Sequence, residues 1–294
     1  MNLIEVVKIS KSYYSAKPAL QNISFDLTSG DRVGIVGPIG AGKTTLLRIL
    51  AGILKPTSGQ ITNILKRPNI GYLPANLGLM EELSVQENLE FWAKTYHCQK
   101  ESVQIIANRL KIENILNKRV CELSSGLKMK VAFAAAVIGT PEFLILDEPF
   151  VNLDIENCLL LCDFLQNYPI NACIVISSHN LDYMEKLCNL VLFLKDGKQL
   201  LLENKDRMEH AKDSSKITIT FSGKLPEQEK AILEKEYSIK VIGQNMILMK
   251  QKGASLNDVL IRLAHAGVSI ESVNRDSPNL QDLYLRLMEG KHLI

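Results

Sequence analysis

The sequence predicts an α/β fold in two parts: a parallel-sheet core that carries a helical insertion and an antiparallel strand layer, followed by a small α+β domain. Residues 37–44 form a complete G-x-x-x-x-G-K-[ST] motif between an apolar strand pattern and a helical pattern. Continuous apolar runs at 143–146, 173–177 and 190–194 are typical of parallel strands that are buried on both faces. A polar stretch at 204–215 then separates a second series of short elements.

Composition excludes several classes of protein. The 294 residues are 46% apolar and 22% charged, as is usual for a globular protein, and the net charge of +2 predicts no nucleic-acid partner. No apolar run approaches the ~20 residues that a membrane-crossing helix needs, and no signal-peptide pattern opens the chain. The six cysteines form no zinc-binding pattern, which favours a reducing cytosol. Any link to a membrane is therefore expected to go through a partner.

The predicted core, residues 1–205, begins with antiparallel strands at 3–9 and 19–27 and a strand at 32–36. A helical insertion follows at about 74–140. Its three helices are predicted at Val85–Tyr96, Glu101–Leu110 and Gly126–Ile138. Helices at roughly 155–166 and 180–187 connect the later parallel strands.

Residues 206–294 show the order β-α-β-β-α-β and then a last helix. This order resembles a split β-α-β, ferredoxin-like unit. A looser α+β tail without that pairing is the alternative. The predicted strands are Lys216–Phe221, Ile239–Ile242, Met246–Lys250 and Val268–Asn274, and the helices are Pro226–Lys235, Ser255–Ala266 and Leu280–Glu289.

The glycine-rich motif has a physical reason for its composition. Its glycines let the backbone turn tightly and point N–H groups inward, and the following helix brings the positive end of its dipole to the same place. Lys43 supplies a charge for the outer phosphates, and Thr44 supplies a hydroxyl for a phosphate-bound Mg²⁺. The segment predicts a P-loop NTPase core in which the nucleotide contacts come from Gly37, Pro38, Ile39, Gly40, Ala41, Gly42, Lys43, Thr44 and Thr45.

Two carboxylates end the apolar strand at 143–146. Asp147 is placed to orient Mg²⁺, and Glu148 points to the other face, where it is placed to act as a general base on the attacking water. The structural alternative is an acidic strand end that caps a helix. His179 follows the next apolar strand, and because parallel strands end at one edge of a sheet it is expected near Glu148. Its predicted role is a hydrogen bond to the γ-phosphate or to Glu148.

Small residues at 124–126 precede the helix predicted from Gly126. Ser124, Ser125 and Gly126 leave the amino end of that helix open, which makes a second anion site. One chain has little use for two phosphate sites around one nucleotide, whereas two chains placed head-to-tail would use both. The sequence therefore favours a homodimer.

This set of motifs resembles the ATP-binding subunit of ABC transporters, and the resemblance covers residues 1 to about 205. It implies ATP and Mg²⁺ as ligands and makes residues 123–127 the signature loop, whose Ser124 and Gly126 contact the γ-phosphate held by the other subunit. Tyr13 matches the aromatic residue that stacks on adenine; Tyr14 is the alternative, and an ordinary edge-strand tyrosine is the structural alternative for both. Asp154 lies in the D-loop and is expected, like Ser125, to belong to the nucleotide-binding residues, and His179 matches the switch histidine.

The chain departs from the family pattern in several places. Ala75 follows Gly-Tyr-Leu-Pro where the family usually carries Gln, which weakens the expected link between this loop, Mg²⁺ and the transport partner. Ser125 replaces a signature glycine, and Asn152 and Ile155 stand where the D-loop usually has Gly and Pro. Since Lys43, Glu148 and His179 are present, turnover is still expected.

The resemblance implies an ATPase that drives a membrane exporter of a drug, peptide or similar compound, because residues 204–294 resemble the tail of drug-resistance and bacteriocin-immunity subunits. Separate permease subunits would hold the chain at the cytoplasmic side of the cell membrane. Asn76–Met80 and the aromatic residues Phe91, Trp92 and Tyr96 would line a groove for a permease helix, or else belong to the core. A soluble ABC-type ATPase and a slow nucleotide-gated module are the alternatives; the first is disfavoured by the single phosphate loop and the second is favoured only by Ala75.

Overall fold

The computed structural model describes residues 2–13, 17–63, 69–99, 101–204, 216–223, 225–237, 239–242, 245–249, 255–276 and 280–288. The chain divides into two compact units, Met1–Lys205 and Asp206–Ile294. Each unit has its own hydrophobic core.

The first unit alternates strands and helices. Its strands are β1 (Asn2–Lys11), β2 (Leu20–Thr28), β3 (Arg32–Val36), β4 (Ser58–Asn63), β5 (Ile70–Leu73), β6 (Phe143–Asp147), β7 (Cys173–Ser177), β8 (Leu190–Lys195) and β9 (Lys198–Asn204). Its α-helices are α1 (Lys43–Leu50), α2 (Val85–Thr95), α3 (Ser102–Arg109), α4 (Ser125–Val137), α5 (Ile155–Gln166) and α6 (Leu181–Leu187). Two single 3₁₀ turns, Glu113–Ile115 and Val120–Glu122, lie between α3 and α4.

The described strands of this unit form one sheet in the order β4-β1-β2-β9-β8-β3-β7-β6-β5. The strands from β5 to β8 along this order run parallel, so β3, β6 and β7 end at the same edge. On the other side, β1 pairs antiparallel with β2 and β4. The mixed sheet with helices around it confirms the predicted α/β fold class.

Burial explains why these segments fold as they do. Every residue of β6 and β7 is buried, as expected for central parallel strands. Helix α4 is buried from Met129 to Val137, where Lys130 is its one charged residue and the apolar side chains point in all directions around the helix. Within the described residues, no helix combines the length and apolar character that crossing a bilayer requires.

Three strands of the first unit were not predicted from the sequence. β4 and β9 are rich in polar residues, and β5 has only four residues, so none of them has a clear strand period. The three helices predicted for the insertion correspond to α2, α3 and α4, and residues 74–84 before them form turns and irregular backbone. The predicted signature loop extends into a helix, since Ser125 and Gly126 form the first turn of α4.

The second unit consists of β10 (Lys216–Ser222), α7 (Glu227–Tyr237), β11 (Ile239–Ile242), β12 (Asn245–Met249), α8 (Leu256–His265), β13 (Ser269–Asp276) and α9 (Leu280–Met288). Its described strands form an antiparallel sheet in the order β11-β12-β10-β13. β12 lies between β10 and β11, which are joined through α7, and β10 lies between β12 and β13, which are joined through α8. Each pair is thus a split β-α-β arrangement. Ile219, Phe221, Leu233 and Leu263 are among the buried residues of its core.

Candidate functional site

The phosphate loop connects β3 to α1, and its glycines are required by both conformation and space. Gly40 and Gly42 have φ angles of +80° and +102°, which L side chains rarely adopt. A Cβ atom at Gly37 would lie 2.2 Å from the Leu194 carbonyl oxygen, and one at Gly42 would lie 2.5 Å from the Ala19 carbonyl oxygen. The loop is therefore a fixed backbone cradle that ends at the amino end of α1, where backbone N–H groups can bind phosphate.

Lys43 is the first residue of α1 and folds back over this loop. Its Nζ donates to the Gly37 carbonyl at 2.8 Å and lies 3.4 Å from the Pro38 carbonyl. The same Nζ lies 3.8 Å from Oε1 of Glu148. The ammonium group is thus placed between the phosphate loop and the carboxylate predicted as the general base.

Asp147 ends β6 opposite Ser177, the last residue of β7. The Ser177 hydroxyl donates to Asp147 Oδ1 at 2.7 Å, and the side chain of Asp147 is only 1% exposed. Its second oxygen, Oδ2, is buried and accepts no hydrogen bond. A buried carboxylate oxygen without a partner is costly unless something else uses it, so this oxygen fits a role in holding a hydrated cation.

The donor set suits Mg²⁺. Asp147 and Thr44 supply oxygen, which Mg²⁺ prefers, and Mg²⁺ usually takes one or two carboxylates and completes its shell with substrate phosphates and water. The described residues contain no cluster of three or more His, Cys, Asp or Glu side chains that could hold a metal by itself.

Glu148 and His179 face each other at the same edge of the sheet. His179 Nδ1 lies 2.9 Å from Glu148 Oε2, and the His179 backbone N–H donates to the same oxygen at 3.3 Å. The backbone of Glu148 has a φ of +53°, and its N–H donates to the Ser177 hydroxyl at 3.0 Å. This contact holds the residue in a strained conformation that turns its side chain toward Lys43 and His179.

Ser177 is a site residue that sequence reasoning missed. One hydroxyl donates to Asp147 and accepts from the backbone of Glu148, so it fixes both carboxylate-bearing residues. The sequence did contain one sign of its role: Ser177 carries a hydroxyl group at the end of a predicted strand, and that strand pairs with β6. A serine at a strand end is too common for that signal to be decisive.

The signature residues lie against the D-loop rather than against the phosphate loop. Ser124 caps α4, because its Oγ accepts from the Leu127 N–H at 3.3 Å. A Cβ atom at Gly126 would lie 2.9 Å from the Asn152 carbonyl oxygen, so the two loops touch. Among the described residues, no hydrogen bond joins 123–127 to the phosphate loop. The residues of the predicted second anion site therefore lie apart from the chain's own phosphate loop.

Asp154 serves as the cap of α5. Its Oδ1 accepts from the Asn157 N–H at 2.8 Å, and its Oδ2 accepts from the Asn157 side-chain amide at 3.1 Å. Both carboxylate oxygens are therefore occupied within the chain, and a nucleotide contact for Asp154 stays a prediction. The preceding Asn152 has a φ of +62°, which asparagine tolerates better than most residues.

Tyr13 stands beside the start of α1. Its ring is 47% exposed, Lys11 Nζ lies 5.5 Å from the ring centroid, and its hydroxyl is 3.5 Å from Thr45 Oγ1. An exposed ring next to the phosphate loop is available for stacking on a base. Tyr14, the alternative, lies outside the described residues.

Tyr13→Ala is expected to raise the KM for ATP about tenfold, because stacking of an aromatic side chain on a base is worth ~1–3 kcal/mol. Tyr13→Phe keeps the ring and should change KM far less. Steady-state ATPase kinetics on both variants check this. A larger effect from Tyr14→Ala than from Tyr13→Ala would assign the stacking role to Tyr14 instead.

Comparisons with known proteins identify ABC transporter ATP-binding proteins among the relatives of this chain. The family model described as ABC transporter matches residues 20–151. An uncharacterised ABC transporter ATP-binding protein of Methanocaldococcus jannaschii is 40% identical over 200 residues, which cover 66% of this chain and 75% of that protein. The Nod factor export ATP-binding protein I of Rhizobium meliloti is 26% identical over 298 residues, covering 97% of this chain and 87% of that protein.

A solved structure shows the same fold. The dimeric structure of MJ0796, a bacterial ABC transporter cassette, has a TM-score of 0.61 and 25% identity to this chain. The match covers 68% of this chain and 98% of that one.

Proposed function

This chain belongs to the family of ABC transporter ATP-binding proteins, and from that premise we propose that it powers a membrane exporter. It is the ATP-binding subunit of a transporter and hydrolyses ATP. The observation that carries the catalytic part of the proposal is the cluster of Lys43, Asp147, Glu148 and His179 at one edge of the parallel sheet.

Each side chain of the cluster has a separate task. The phosphate-loop N–H groups and Lys43 bind the phosphates, and Thr44 and Asp147 would hold Mg²⁺, which supplies positive charge to the β- and γ-phosphates. Glu148 accepts a proton from the attacking water, while His179 holds the Glu148 carboxylate through Oε2. The other oxygen of Glu148 stays on the side of Lys43, close to the phosphates.

A second copy of the chain would complete the site. Ser124, Ser125 and Gly126 present the amino end of α4, a helix of 13 residues, on a surface that makes no hydrogen bond to the chain's own phosphate loop among the described residues. In a two-fold symmetric pair, the surface that covers one site is repeated over the other. We infer a nucleotide-sandwich homodimer in which each α4 terminus faces the γ-phosphate held by the other copy.

A cavity of about 700 Å³ is the docking site that we propose for a permease helix. Asn76, Leu77, Gly78, Trp92 and Tyr96 are among its lining residues, whereas Phe91 packs edge-on against Trp92 at 5.4 Å and does not line it. Trp92 Nε1 is buried and has no hydrogen-bond partner, so a partner that brings an acceptor would satisfy it.

The loop on this cavity is anchored and close to the catalytic edge. The buried Asn88 side chain bonds both the N–H and the carbonyl of Met80, at 2.9 and 3.0 Å. Tyr72 also lines the cavity, and burial first and then the charge of Asp147 raise the pKa of its phenol. The exposed Ala75 lacks the usual polar group, but Tyr72 lies on β5, which pairs with the strand that ends at Asp147, so the proposed docking site borders the catalytic edge.

Export is the finer part of the proposal. The Nod factor export protein is similar to this chain over nearly its whole length, including most of the second unit. The transported compound would be a drug, peptide or similar molecule chosen by the permease. The chain itself would be held at the cytoplasmic side of the cell membrane by that permease.

Cell fractionation tests the transporter role. The chain at its natural expression level should appear in the membrane fraction, and Leu77→Glu should move it to the soluble fraction, because a charge in the cavity opposes docking of an apolar helix. Ile170→Glu, at an exposed position on the opposite edge of the sheet, is the matched control and should stay with the membrane. A wild-type chain found entirely in the soluble fraction would favour a soluble ABC-type ATPase.

A further inference from the structure

Two isoleucines, one in the phosphate loop and one directly after the D-loop, are largely exposed. Ile39, in the phosphate loop, is 101% exposed, and Ile155, the first residue of α5 after the D-loop, is 78% exposed. Leu159, one turn further along α5, is 57% exposed. Large aliphatic side chains gain from leaving water, so exposed ones beside a functional site are candidates for an interface.

The backbone prevents either isoleucine from turning inward. The phosphate loop is held by the close approach of Gly37 to the Leu194 carbonyl and by the left-handed conformation of Gly40. Ile155 is held by the Asp154 cap, which fixes where α5 begins. Both side chains therefore point outward from backbone that is held by local contacts.

The contact between Gly126 and Asn152 relates Ile39 of one copy to Ile155 of the other copy in a dimer. Since a Cβ atom on Gly126 would come within 2.9 Å of the Asn152 carbonyl, the signature residues and the D-loop form one continuous surface. A second copy that brings Ser124–Gly126 to the phosphate loop must bring residues 152–155 with them. Ile155 of the second copy then arrives beside the loop that carries Ile39.

We propose that, in the ATP-bound pair, Ile39 of each copy packs against Ile155 of the other, so that apolar contacts at the D-loops add to the phosphate contacts that close the dimer. The partner is a second copy of this chain. The proposal rests on the proposed nucleotide-sandwich function. By symmetry the contact occurs twice, so each substitution acts at two places in one dimer.

Dimer affinity tests the proposal directly. In a Glu148→Gln background with ATP and Mg²⁺, sedimentation should show that Ile39→Ser and Ile155→Ser each weaken dimerisation about tenfold, as expected for exposing buried aliphatic area. The double variant should lose less than the product of the two single effects, because both remove one contact. Ile170→Ser is the control: Ile170 is 82% exposed but lies before β7, at the opposite edge of the sheet.

A cross-link gives a second readout that does not depend on affinity. Cys121 is the exposed one of the six cysteines, so Cys121→Ser is the background. Ile39→Cys combined with Ile155→Cys should form a covalent dimer on mild oxidation only with ATP and Mg²⁺, since a disulfide needs Cα atoms about 4.4–6.8 Å apart. Ile39→Cys combined with Ile170→Cys should stay monomeric.

The two possible failures are distinct. If ATP still produces a dimer, but the serine variants dimerise as tightly as their parent and no cross-link forms, the isoleucine contact is wrong and the sandwich dimer stands. If ATP produces no dimer of the Glu148→Gln chain at all, the sandwich dimer is wrong and the isoleucine contact fails with it.

Discussion

Glu148→Gln is expected to lower kcat for ATP hydrolysis by about 10²–10⁴-fold, the contribution of a general base, while ATP binding is retained. The amide keeps the shape of the side chain and can still accept a hydrogen bond from His179, but it cannot take a proton from water. Because the γ-phosphate remains, the ATP-bound dimer should persist instead of separating. Single-turnover hydrolysis and sedimentation with ATP and Mg²⁺ measure the two effects.

His179→Ala provides the comparison within the same cluster. It removes the 2.9 Å contact to Glu148 Oε2 but leaves the carboxylate, so its effect on kcat should be smaller than that of Glu148→Gln. Equal and slow hydrolysis by the wild-type chain and Glu148→Gln would remove the catalytic role of Glu148. That outcome would favour the slow nucleotide-gated module.

Asp147→Asn is expected to abolish Mg²⁺-dependent turnover and yet to make the nucleotide-free protein more stable. The variant keeps an acceptor for the Ser177 hydroxyl but removes a buried negative charge whose Oδ2 has no hydrogen-bond partner. A gain of ~1 kcal/mol would raise the midpoint of thermal unfolding by about 2–4 °C. Thermal unfolding without nucleotide or metal, together with ATPase assays, checks both halves.

Asp163→Asn is the matched control for this prediction. Asp163 is exposed on α5, away from the catalytic edge, so the same chemical change there should leave turnover and the unfolding midpoint nearly as they were. If Asp147→Asn lowers the midpoint, the carboxylate is a stabilising group rather than a group held ready for Mg²⁺. Stability would then give no support to the proposed metal site.

The elements that the sequence predicts well are those with strong local signals. Three signals depend on neighbouring residues alone: the glycine spacing of the phosphate loop, the apolar run before Asp147 and the helical pattern of α5. The structure has the predicted element at each of these places. The edge strand β4 and the interior strand β9 were missed because sheet pairing, rather than their own composition, makes them strands.

Within the site, the sequence predicted residue types but not their contacts. The approach of Gly126 to Asn152 joins residues that are far apart in the chain, and only the packing of α4 against the D-loop creates it. The double hydrogen bonding of Ser177 likewise depends on the register between β6 and β7. The sequence shows that residues 39 and 155 are isoleucines, but only the fold shows that both side chains are exposed.

Complementation between two inactive variants tests the central claim, that each site is built from two chains. Lys43→Ala disables the phosphate loop, and Gly126→Asp places a negative charge where the γ-phosphate of the other copy would lie. Each homodimer should be inactive, because both of its sites contain a damaged half. A mixed dimer contains one site with both halves intact, so mixing the two purified variants should restore ATPase activity. A mixture that forms dimers but hydrolyses no ATP would contradict the head-to-tail site.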